Sequence, residues 1–320
     1  MPAMKKKKVL YINDYFNDEN SLKTCVDRQM PYNHLWGSDI DDNRIVFKRC
    51  LVKTSKKGKL WTLLQNIKTL ISGSCCDVVY SAVPGYDYLF LLLKRLGFSS
   101  KQIIAVLHHP ARRLRLVSQY NKCICICPEI PYLYPGLNQR FEYLFWGPDI
   151  EFYKNSGGGN INHTIDFISA GKTHRDYALM KNGLQELGAT YTIIGEHSKS
   201  GNEMSYPDLL KKYEQSRFIC IPMEVNDEAL LIGLTSFNDA IALGKPFLMS
   251  DNSRIGVDID SLKLGKTYKA GDISSFKESA EYLLSLSDSE YYEMSENCLK
   301  FASGNSYDRF KSRIHSIITG

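Results

Sequence analysis

The sequence lacks any long apolar run, and it lacks cysteines at metal-binding spacing. Its longest apolar candidate, residues 88–93, has six residues and is followed by Lys94, whereas a membrane-spanning helix needs about 20 apolar residues. The nine cysteines are an odd number without a Cys-x-x-Cys pair, and Cys123, Cys125 and Cys127 alternate with isoleucine, which is typical of a strand. We therefore expect reduced thiols in a cytoplasmic protein and no metal site.

Charge is distributed unevenly along the 320 residues. Residues 1–150 carry 22 Lys and Arg against 12 Asp and Glu, whereas the remainder carries 18 against 23. Nucleic acid is not an expected partner, because no binding motif with the required spacing and interleaved aromatics accompanies the basic clusters. An anionic membrane surface or a lipid-phosphate acceptor fits them better, at about 1 kcal/mol per basic side chain, and would place the protein on the inner face of the membrane. For any single cluster the alternative is a solvated basic face.

Apolar patterning alternates between strand-like and helical runs in both halves of the chain. The first half has predicted strands at 8–13, 77–80, 102–107 and 122–126, and helices at 60–71 and 86–96. The second half has predicted strands at 164–170, 191–195, 218–222 and 247–249, and helices at 176–187, 206–215, 274–286 and 290–302. This alternation predicts parallel, doubly wound sheets in an α/β protein, whereas residues 17–43 are predicted to be loop with short helix.

A glycine-rich segment separates the two halves. Residues 155–160 have the sequence Asn-Ser-Gly-Gly-Gly-Asn, which is typical of a flexible linker. The chain is long for one core and sufficient for two domains of about 150 residues each. We therefore predict an N-terminal domain at 1–154 and a C-terminal domain at 155–305.

The most informative segment is 233–246, with the sequence Gly-Leu-Thr-Ser-Phe-Asn-Asp-Ala-Ile-Ala-Leu-Gly-Lys-Pro. Thr235 and Ser236 open a short predicted helix that ends before the strand at 247–249. Free backbone N–H groups at a helix start bind phosphate, and Asp239, one turn further, can accept hydrogen bonds from ribose hydroxyls. Alternatively, Ser236 and Asp239 form a capping box that needs no ligand.

A second segment, 169–177, has the sequence Ser-Ala-Gly-Lys-Thr-His-Arg-Asp-Tyr and joins the first strand of the second half to its first helix. Doubly wound sheets bind phosphate at this position. Gly171 allows close backbone approach, Lys172 supplies a point charge and Arg175 supplies a planar fork for phosphate oxygens. The structural alternative is that Asp176 caps the helix and Arg175 pairs with a surface carboxylate.

Together the two segments resemble the nucleotide-sugar site of the group 1 (family 4-like) glycosyltransferases. In that family a carboxylate-Ala-x-Ala-x-Gly-x-Pro run closes the donor site, and residues 239–246 match it with Asp239 in place of the usual Glu. The family's other Glu, eight residues earlier, is Leu231 here, and Glu224 or Glu228 would serve instead, with Glu224 the better substitute. The basic pair at 172 and 175 resembles the family's pyrophosphate clamp with the two basic types in reversed order.

The resemblance implies the GT-B architecture, in which two Rossmann-like doubly wound domains face each other across a cleft. It also implies that residues 306–320 form a helix that crosses back to the first domain. The reaction would transfer a sugar from a nucleotide diphosphate sugar, with UDP the most frequent nucleotide, to a saccharide or lipid-linked acceptor, without a metal or other cofactor. The donor would be held at the diphosphate, ribose and sugar hydroxyls by Gly171, Lys172, Arg175, Thr235, Ser236, Asp239 and Glu224.

Candidate catalytic residues follow two strands of the first half. His108 and His109 come after the strand at 102–107, and a histidine at such a strand end faces the donor sugar in the family. An imidazole ionises near neutral pH, and either a histidine or Asp14, at the end of the first strand, would serve an inverting enzyme as base. The structural alternative for the histidines is a hydrogen bond at a loop entry. The family's glycine pair after the first strand is replaced here by Asn-Asp-Tyr-Phe at 13–16.

Two other functions are compatible with this sequence. A nucleotide-sugar epimerase of the same fold would act on a sugar nucleotide without an acceptor. A catalytically silent module that binds a partner glycosyltransferase or the membrane would account for Leu231 and for the altered 13–16 loop. Replacing Lys172 and Arg175 by Ala separates these functions, because an enzyme would lose its diphosphate-dependent step and a scaffold would keep its partner binding.

Overall fold

The structure is a computed structural model that describes residues 6–39, 44–53, 58–108, 116–154, 163–195, 204–225 and 233–320. The chain forms two compact units. The first unit comprises Met1–Trp146 with Tyr307–Gly320, and the second comprises Gly147–Ser306. The sequence analysis placed the boundary after residue 154, a few residues into the second unit. The predicted glycine linker at 155–160 lies outside the described residues.

The first unit is built on a parallel six-stranded sheet. Its strands are β1 (Lys7–Asn13), β2 (Ile45–Leu51), β3 (Val78–Ser81), β4 (Gln102–Leu107), β5 (Lys122–Cys125) and β6 (Phe141–Tyr143). They lie in the order β2-β1-β3-β4-β5-β6. The connecting helices are α1 (Glu19–Val26), α2 (Lys59–Ser72) and α3 (Tyr88–Arg95), with 3₁₀ turns at Tyr32–Leu35, Val117–Gln119, Ile130–Leu133 and Asn138–Arg140. Residues 103–107 of β4 are fully buried, as expected for a central parallel strand with both faces covered.

The second unit is built on a parallel five-stranded sheet. Its strands are β7 (Ile165–Ala170), β8 (Tyr191–Ile194), β9 (Ser216–Ile221), β10 (Phe247–Ser250) and β11 (Gly265–Tyr268), in the order β11-β10-β9-β7-β8. Its helices are α4 (Ile150–Lys154), α5 (Tyr177–Glu186), α6 (Tyr206–Glu214), α7 (Leu234–Ala242), α8 (Ile273–Leu284) and α9 (Asp288–Gly304). Helices α5 and α8 pack closely at Gly183, where an added Cβ would lie 2.5 Å from the Phe276 ring.

The last helix, α10 (Tyr307–Thr319), packs on the first unit. The Tyr307 hydroxyl accepts a hydrogen bond from the Gly37 N–H over 2.8 Å, and the Lys7 ammonium donates to the Ile318 carbonyl over 2.9 Å. The Arg313 guanidinium also donates two hydrogen bonds to the Glu142 carboxylate. The predicted return of the C-terminal helix to the first domain is confirmed.

Both sheets place a topological switch point beside the first strand of their unit. In the first unit the chain order reverses between β1 and β3, and in the second between β7 and β9. Ligands of doubly wound sheets bind outside the carboxyl ends of the strands at such a point. Ligand-binding residues are therefore expected directly after Asn13 and Ser81 in the first unit, and directly after Ala170 and Ile221 in the second.

The predicted strands and helices are present, with ends that shift by one or two residues. The sequence analysis missed β2, β6 and β11. Strand β2 lies at the sheet edge and is only partly buried, and β6 has three residues within an aromatic run. Strand β11 contains Gly265, where a Cβ would lie 1.9 Å from the Phe247 carbonyl oxygen, so its pairing with β10 depends on a residue of low strand propensity. Within the described ranges, no helix is both long enough and apolar enough to cross a membrane.

Candidate functional site

Helix α7 begins at Leu234 without a side-chain cap from the part of the chain that the structure describes. Gly233 precedes it with a left-handed backbone, φ 84°, and a Cβ there would lie 2.8 Å from Cγ2 of Ile221. Glycine is therefore needed both for the conformation and for the close approach to β9. The alternative of a capping box between Ser236 and Asp239 is wrong, because Gly233 occupies the cap position and Ser236 lies within the first turn. No side chain among the described residues caps the N–H groups of this turn.

The loop after β7 pairs with the loop after β9. Arg175 forms an isolated antiparallel bridge with Met223, and the Glu224 N–H donates to the His174 carbonyl over 3.1 Å. The Asp176 side chain accepts a hydrogen bond from the Leu179 N–H over 2.9 Å and so caps α5. The cap at Asp176, which belonged to the structural alternative, is present, and it holds the basic loop at the switch point.

Gly171 makes room for the Arg175 guanidinium. Its backbone has φ 133°, which favours glycine, and a Cβ there would lie 2.9 Å from both Nε and Nη2 of Arg175. The Gly171 carbonyl accepts a hydrogen bond from the Tyr177 hydroxyl over 2.7 Å, which fixes the turn. The guanidinium can therefore lie directly against the backbone of the loop.

The guanidinium of Arg175 contacts no carboxylate among the residues that the structure describes. Nη1 donates to the Thr173 carbonyl over 3.2 Å and lies 2.8 Å from the Met223 sulfur, while Nη2 lies 3.3 Å from Oγ of Ser236. Nε is buried and makes no hydrogen bond to any described residue. Within these ranges the alternative pairing of Arg175 with a surface carboxylate is not observed.

The electrostatics of this arrangement favour an anion. The guanidinium is largely removed from water, which lowers the pKa of Arg175, and it lies beside the positive end of the α7 dipole. A buried cation without a counter-charge is costly, and a second positive partial charge beside it adds to that cost. An anion bound against Arg175 and the first turn of α7 would relieve both costs.

A pocket of about 340 Å³ lies at this switch point. Its lining includes Lys172, His174, Arg175 and Glu224. Oε2 of Glu224 lies 3.3 Å from Nδ1 of His174, and both side chains are about half exposed. The structure therefore brings three of the predicted donor residues together, and the contact of Arg175 with Ser236 adds a fourth. Thr235, also predicted, is exposed on the first turn of α7.

Asp239 lies in a different environment from the other predicted donor residues. Its side chain is buried, with 2% exposure, and Oδ1 accepts hydrogen bonds from both the Tyr153 hydroxyl, over 2.6 Å, and the Tyr206 hydroxyl. Burial raises the pKa of Asp239 to about 6. The predicted ribose contact stays a prediction. Sequence reasoning missed both tyrosines, because each lies on a separate helix and belongs to no motif.

A second pocket, of about 400 Å³, lies at the switch point of the first unit. Its lining includes Asp14, Tyr15, Trp36 and His108. Nε2 of His108 lies 3.0 Å from the Ala82 carbonyl oxygen. A carbonyl can only accept, so Nε2 carries the proton and the basic lone pair of the neutral ring is on Nδ1. Trp36, which the sequence analysis did not select, packs edge-to-face on His108 at 4.4 Å.

Three residues of the sequence analysis lie outside the described residues: His109, Glu228 and Leu231. Their predicted roles stay predictions. Within the described part of the chain, no three His, Cys, Asp or Glu side chains are grouped as a metal site requires.

No protein-family model matches the chain, and no curated protein matches it by sequence. Solved structures do resemble it over nearly its whole length. A glycosyltransferase from Rickettsia africae is 11% identical, with 98% of each chain covered and a TM-score of 0.66. HepE from Anabaena, solved with UDP and glucose, is 10% identical, with 98% of this chain and 99% of that chain covered and a TM-score of 0.64.

The trehalose-6-phosphate synthase from Burkholderia multivorans is 9% identical, with 98% of each chain covered and a TM-score of 0.69. The chain has the GT-B fold. The two parallel sheets are its two Rossmann-like domains, as the sequence analysis predicted. At these identities the similarity establishes the fold.

Proposed function

We propose that this GT-B protein is a glycosyltransferase. It transfers a sugar from a nucleotide diphosphate sugar, with UDP as the nucleotide, to a saccharide or lipid-linked acceptor. The observation that carries the proposal is the Arg175 guanidinium, which lies against the start of α7 without a carboxylate partner among the described residues. HepE of the same fold was solved with UDP-glucose, and this supports the choice of nucleotide.

The diphosphate is the part of the donor that this site accommodates. Arg175 and the N–H groups of the first α7 turn hold one side of it, and the exposed Lys172 ammonium holds the other. Charge accumulates on the diphosphate as the bond to the sugar breaks, so fixed positive groups lower the barrier to that step. These groups perform the task for which other transferases use a divalent metal, and we propose a reaction that requires none.

Two further donor contacts belong to the proposal, one at Glu224 in the same pocket and one at the buried Asp239. Glu224 accepts hydrogen bonds from the sugar hydroxyls when it exchanges its contact with His174 for the sugar. Asp239 has Oδ1 engaged by two tyrosines, so Oδ2 is the atom that receives the ribose hydroxyls.

The acceptor binds to the first unit in this proposal. The pocket at its switch point combines the exposed phenol of Tyr15, whose face suits a sugar ring, with the polar groups of Asp14 and His108. Asp14, or His108 through Nδ1, removes the proton from the acceptor hydroxyl. His109 is the further candidate from the sequence. We also propose an anionic membrane surface as a partner of the first unit.

A catalytically silent module is the second candidate. The engagement of Asp239 by Tyr153 and Tyr206 favours it, because a carboxylate with two hydroxyl partners has a structural role without any ligand. Such a module would keep the fold and lose nucleotide binding.

A thermal-shift panel tests the proposal. The ligands are UDP, GDP, ADP, CMP and their common sugar conjugates, each with and without a chelator. A ligand at a hundred times its dissociation constant stabilises the folded protein by about 2.7 kcal/mol, which gives a clear shift. We expect a chelator-insensitive shift with UDP that the Lys172→Ala/Arg175→Ala variant loses and the Lys212→Gln control, at an exposed lysine of α6, retains. No shift with any nucleotide would contradict the proposal and favour the silent module.

A further inference from the structure

Helix α2 turns its polar side chains toward the protein. Its buried residues are Gln65, Asn66 and Thr69. Oε1 of Gln65 accepts from the Lys53 N–H over 3.2 Å, Nδ2 of Asn66 donates to the Gly85 carbonyl over 3.0 Å, and Oγ1 of Thr69 donates to the Tyr86 carbonyl over 2.7 Å. Side-chain to backbone hydrogen bonds therefore attach this face of the helix to the loops beside it.

The opposite face of α2 is apolar and exposed. Five large side chains on it are between 40% and 71% exposed: Leu60, Leu63, Leu64, Ile67 and Ile71. Their spacing of three, four and seven residues places them on one side of a helix, so they form a continuous apolar stripe. Amphipathic helices of globular proteins normally direct such a stripe into the core, and a contiguous exposed patch of this kind marks an interaction surface.

The segment of sequence that contains the stripe carries charge of a single sign. Residues 44–76, from the start of β2 to the end of α2 and the turn after it, contain eight Lys and Arg and no Asp or Glu. Helix α2 itself carries only Lys59 and Lys68 as charged residues. Lys59 lies on the first turn and is exposed, and Lys68 adjoins Ile67 of the stripe.

We propose that α2 is a membrane-docking helix that lies along the surface of an anionic lipid bilayer. The apolar stripe enters the boundary between headgroups and acyl chains, and the flanking lysines contact lipid phosphates. A second copy of this chain is a poorer occupant, because two such segments would bring like charges together. The proposal does not depend on the glycosyl transfer, but it would place the first unit of the enzyme at a lipid surface.

Vesicle co-sedimentation of the full chain tests this inference. The probes are vesicles of pure phosphatidylcholine and vesicles with 30 mol% phosphatidylglycerol. We expect binding to the anionic vesicles that weakens as salt is raised, since the lysine contribution is screened. The Leu64→Gln/Ile67→Gln variant should lower the partition coefficient by more than about tenfold, because it removes two anchoring side chains. Both positions are exposed, so its melting temperature should equal that of the wild type.

The matched control is Leu262→Gln/Leu299→Gln, at two leucines of the second unit that are each 45% exposed. It should bind vesicles as the wild type does. Equal binding to neutral and anionic vesicles, an equal loss in the control, or no vesicle binding would overturn the proposal. So would a dimer in light scattering that the α2 variant abolishes, because the occupant of the stripe would then be a second copy. The thermal shift that UDP produces in the α2 variant is measured in parallel. A failure of the membrane proposal can then be distinguished from a failure of the proposed glycosyl transfer.

Discussion

Nη2 of Arg175 lies 3.3 Å from Oγ of Ser236, within the first turn of α7. The guanidinium thus faces the positive end of a helix dipole, and the same anion would stabilise both groups. Among the described residues no carboxylate compensates this largely buried positive charge. A residue kept for stability alone would not be placed in this way.

Replacing Arg175 with Gln should therefore leave the free protein about as stable as the wild type, or up to about 1 kcal/mol more stable, because the desolvated charge is removed. Arg217→Gln is the matched control. Its guanidinium donates to the Leu284 and Leu286 carbonyls and lies over the ring of Phe218, so its loss should cost about 1–2 kcal/mol. Urea unfolding of both variants measures the difference. A cost for Arg175→Gln equal to that of Arg217→Gln would show that Arg175 is structural.

Gly171→Ala should weaken nucleotide binding strongly. The added Cβ would meet the Arg175 guanidinium at 2.9 Å and displace it, and the φ of 133° adds backbone strain of about 1–3 kcal/mol. Gly58→Ala separates the two effects, since Gly58 has φ 146° and no atom within 4 Å of its added Cβ. We expect both variants to lose stability and only Gly171→Ala to lose the UDP shift. If Gly171→Ala kept the UDP shift, nucleotide binding would not depend on the position of the Arg175 guanidinium.

Asp239→Asn should change how stability depends on pH. Burial raises the pKa of Asp239 from 3.8 to about 6, so the folded state holds its proton more tightly than the unfolded state. The wild type therefore loses stability as pH rises from about 4 to about 6, by about 3 kcal/mol in all. The amide oxygen of Asn can accept the same hydrogen bonds from the two tyrosine hydroxyls, and the amide does not ionise. The stability of the variant relative to the wild type should therefore rise as pH increases over that range.

Urea unfolding of wild type and Asp239→Asn at pH 4.5 and pH 7 measures this effect as a difference. Comparison of the two proteins is necessary because burial lowers the pKa values of His34 and His163 to about 4, and both histidines lower stability as pH falls. Their contributions are the same in both proteins and cancel. A difference in unfolding free energy that is independent of pH would show that Asp239 is not held in the environment described.

Asp14→Asn and His108→Gln should separate turnover from donor binding. Both residues line the pocket of the first unit, whereas the proposed donor site belongs to the second. The variant that removes the catalytic base should have a kcat lower by about 10²–10⁴-fold, with its affinity for UDP unchanged. Steady-state rates and UDP titrations of the two variants give this split. A parallel loss of UDP affinity would argue against the assignment of the pocket to the acceptor.

Local sequence was sufficient to predict the buried parts of the fold. Strand β4 is a continuous apolar run with polar neighbours, and its predicted and observed bounds agree. Strand β2 has only one neighbouring strand and mixes Lys48 and Arg49 with apolar residues, so its pairing with β1 is decided by tertiary contacts. The helical spacing of the apolar residues predicted α2. It does not indicate which face of the helix packs on the protein, and in the structure the polar face does.

The candidate site was predictable only where its residues follow adjacent strands. Lys172, Arg175 and Glu224 come after β7 and β9, and a doubly wound sheet brings such loops together. The tyrosine partners of Asp239 come from α4 and α6, and no spacing in the sequence relates these helices to α7. The lack of a carboxylate beside Arg175 among the described residues likewise depends on how the loops pack. The pattern of residues along the sequence does not predict that packing.

Calorimetric titration with UDP and with UMP shows whether this protein has a diphosphate site at Arg175. The two ligands differ by one phosphate, so the ratio of their affinities reports on the diphosphate site. We predict that the wild type binds UDP more tightly by tenfold or more, since charge-assisted hydrogen bonds to phosphate contribute about 1.5–3 kcal/mol each. In Arg175→Gln the two affinities should converge. Equal affinities in the wild type, or a ratio that Arg175→Gln leaves unchanged, would contradict the account.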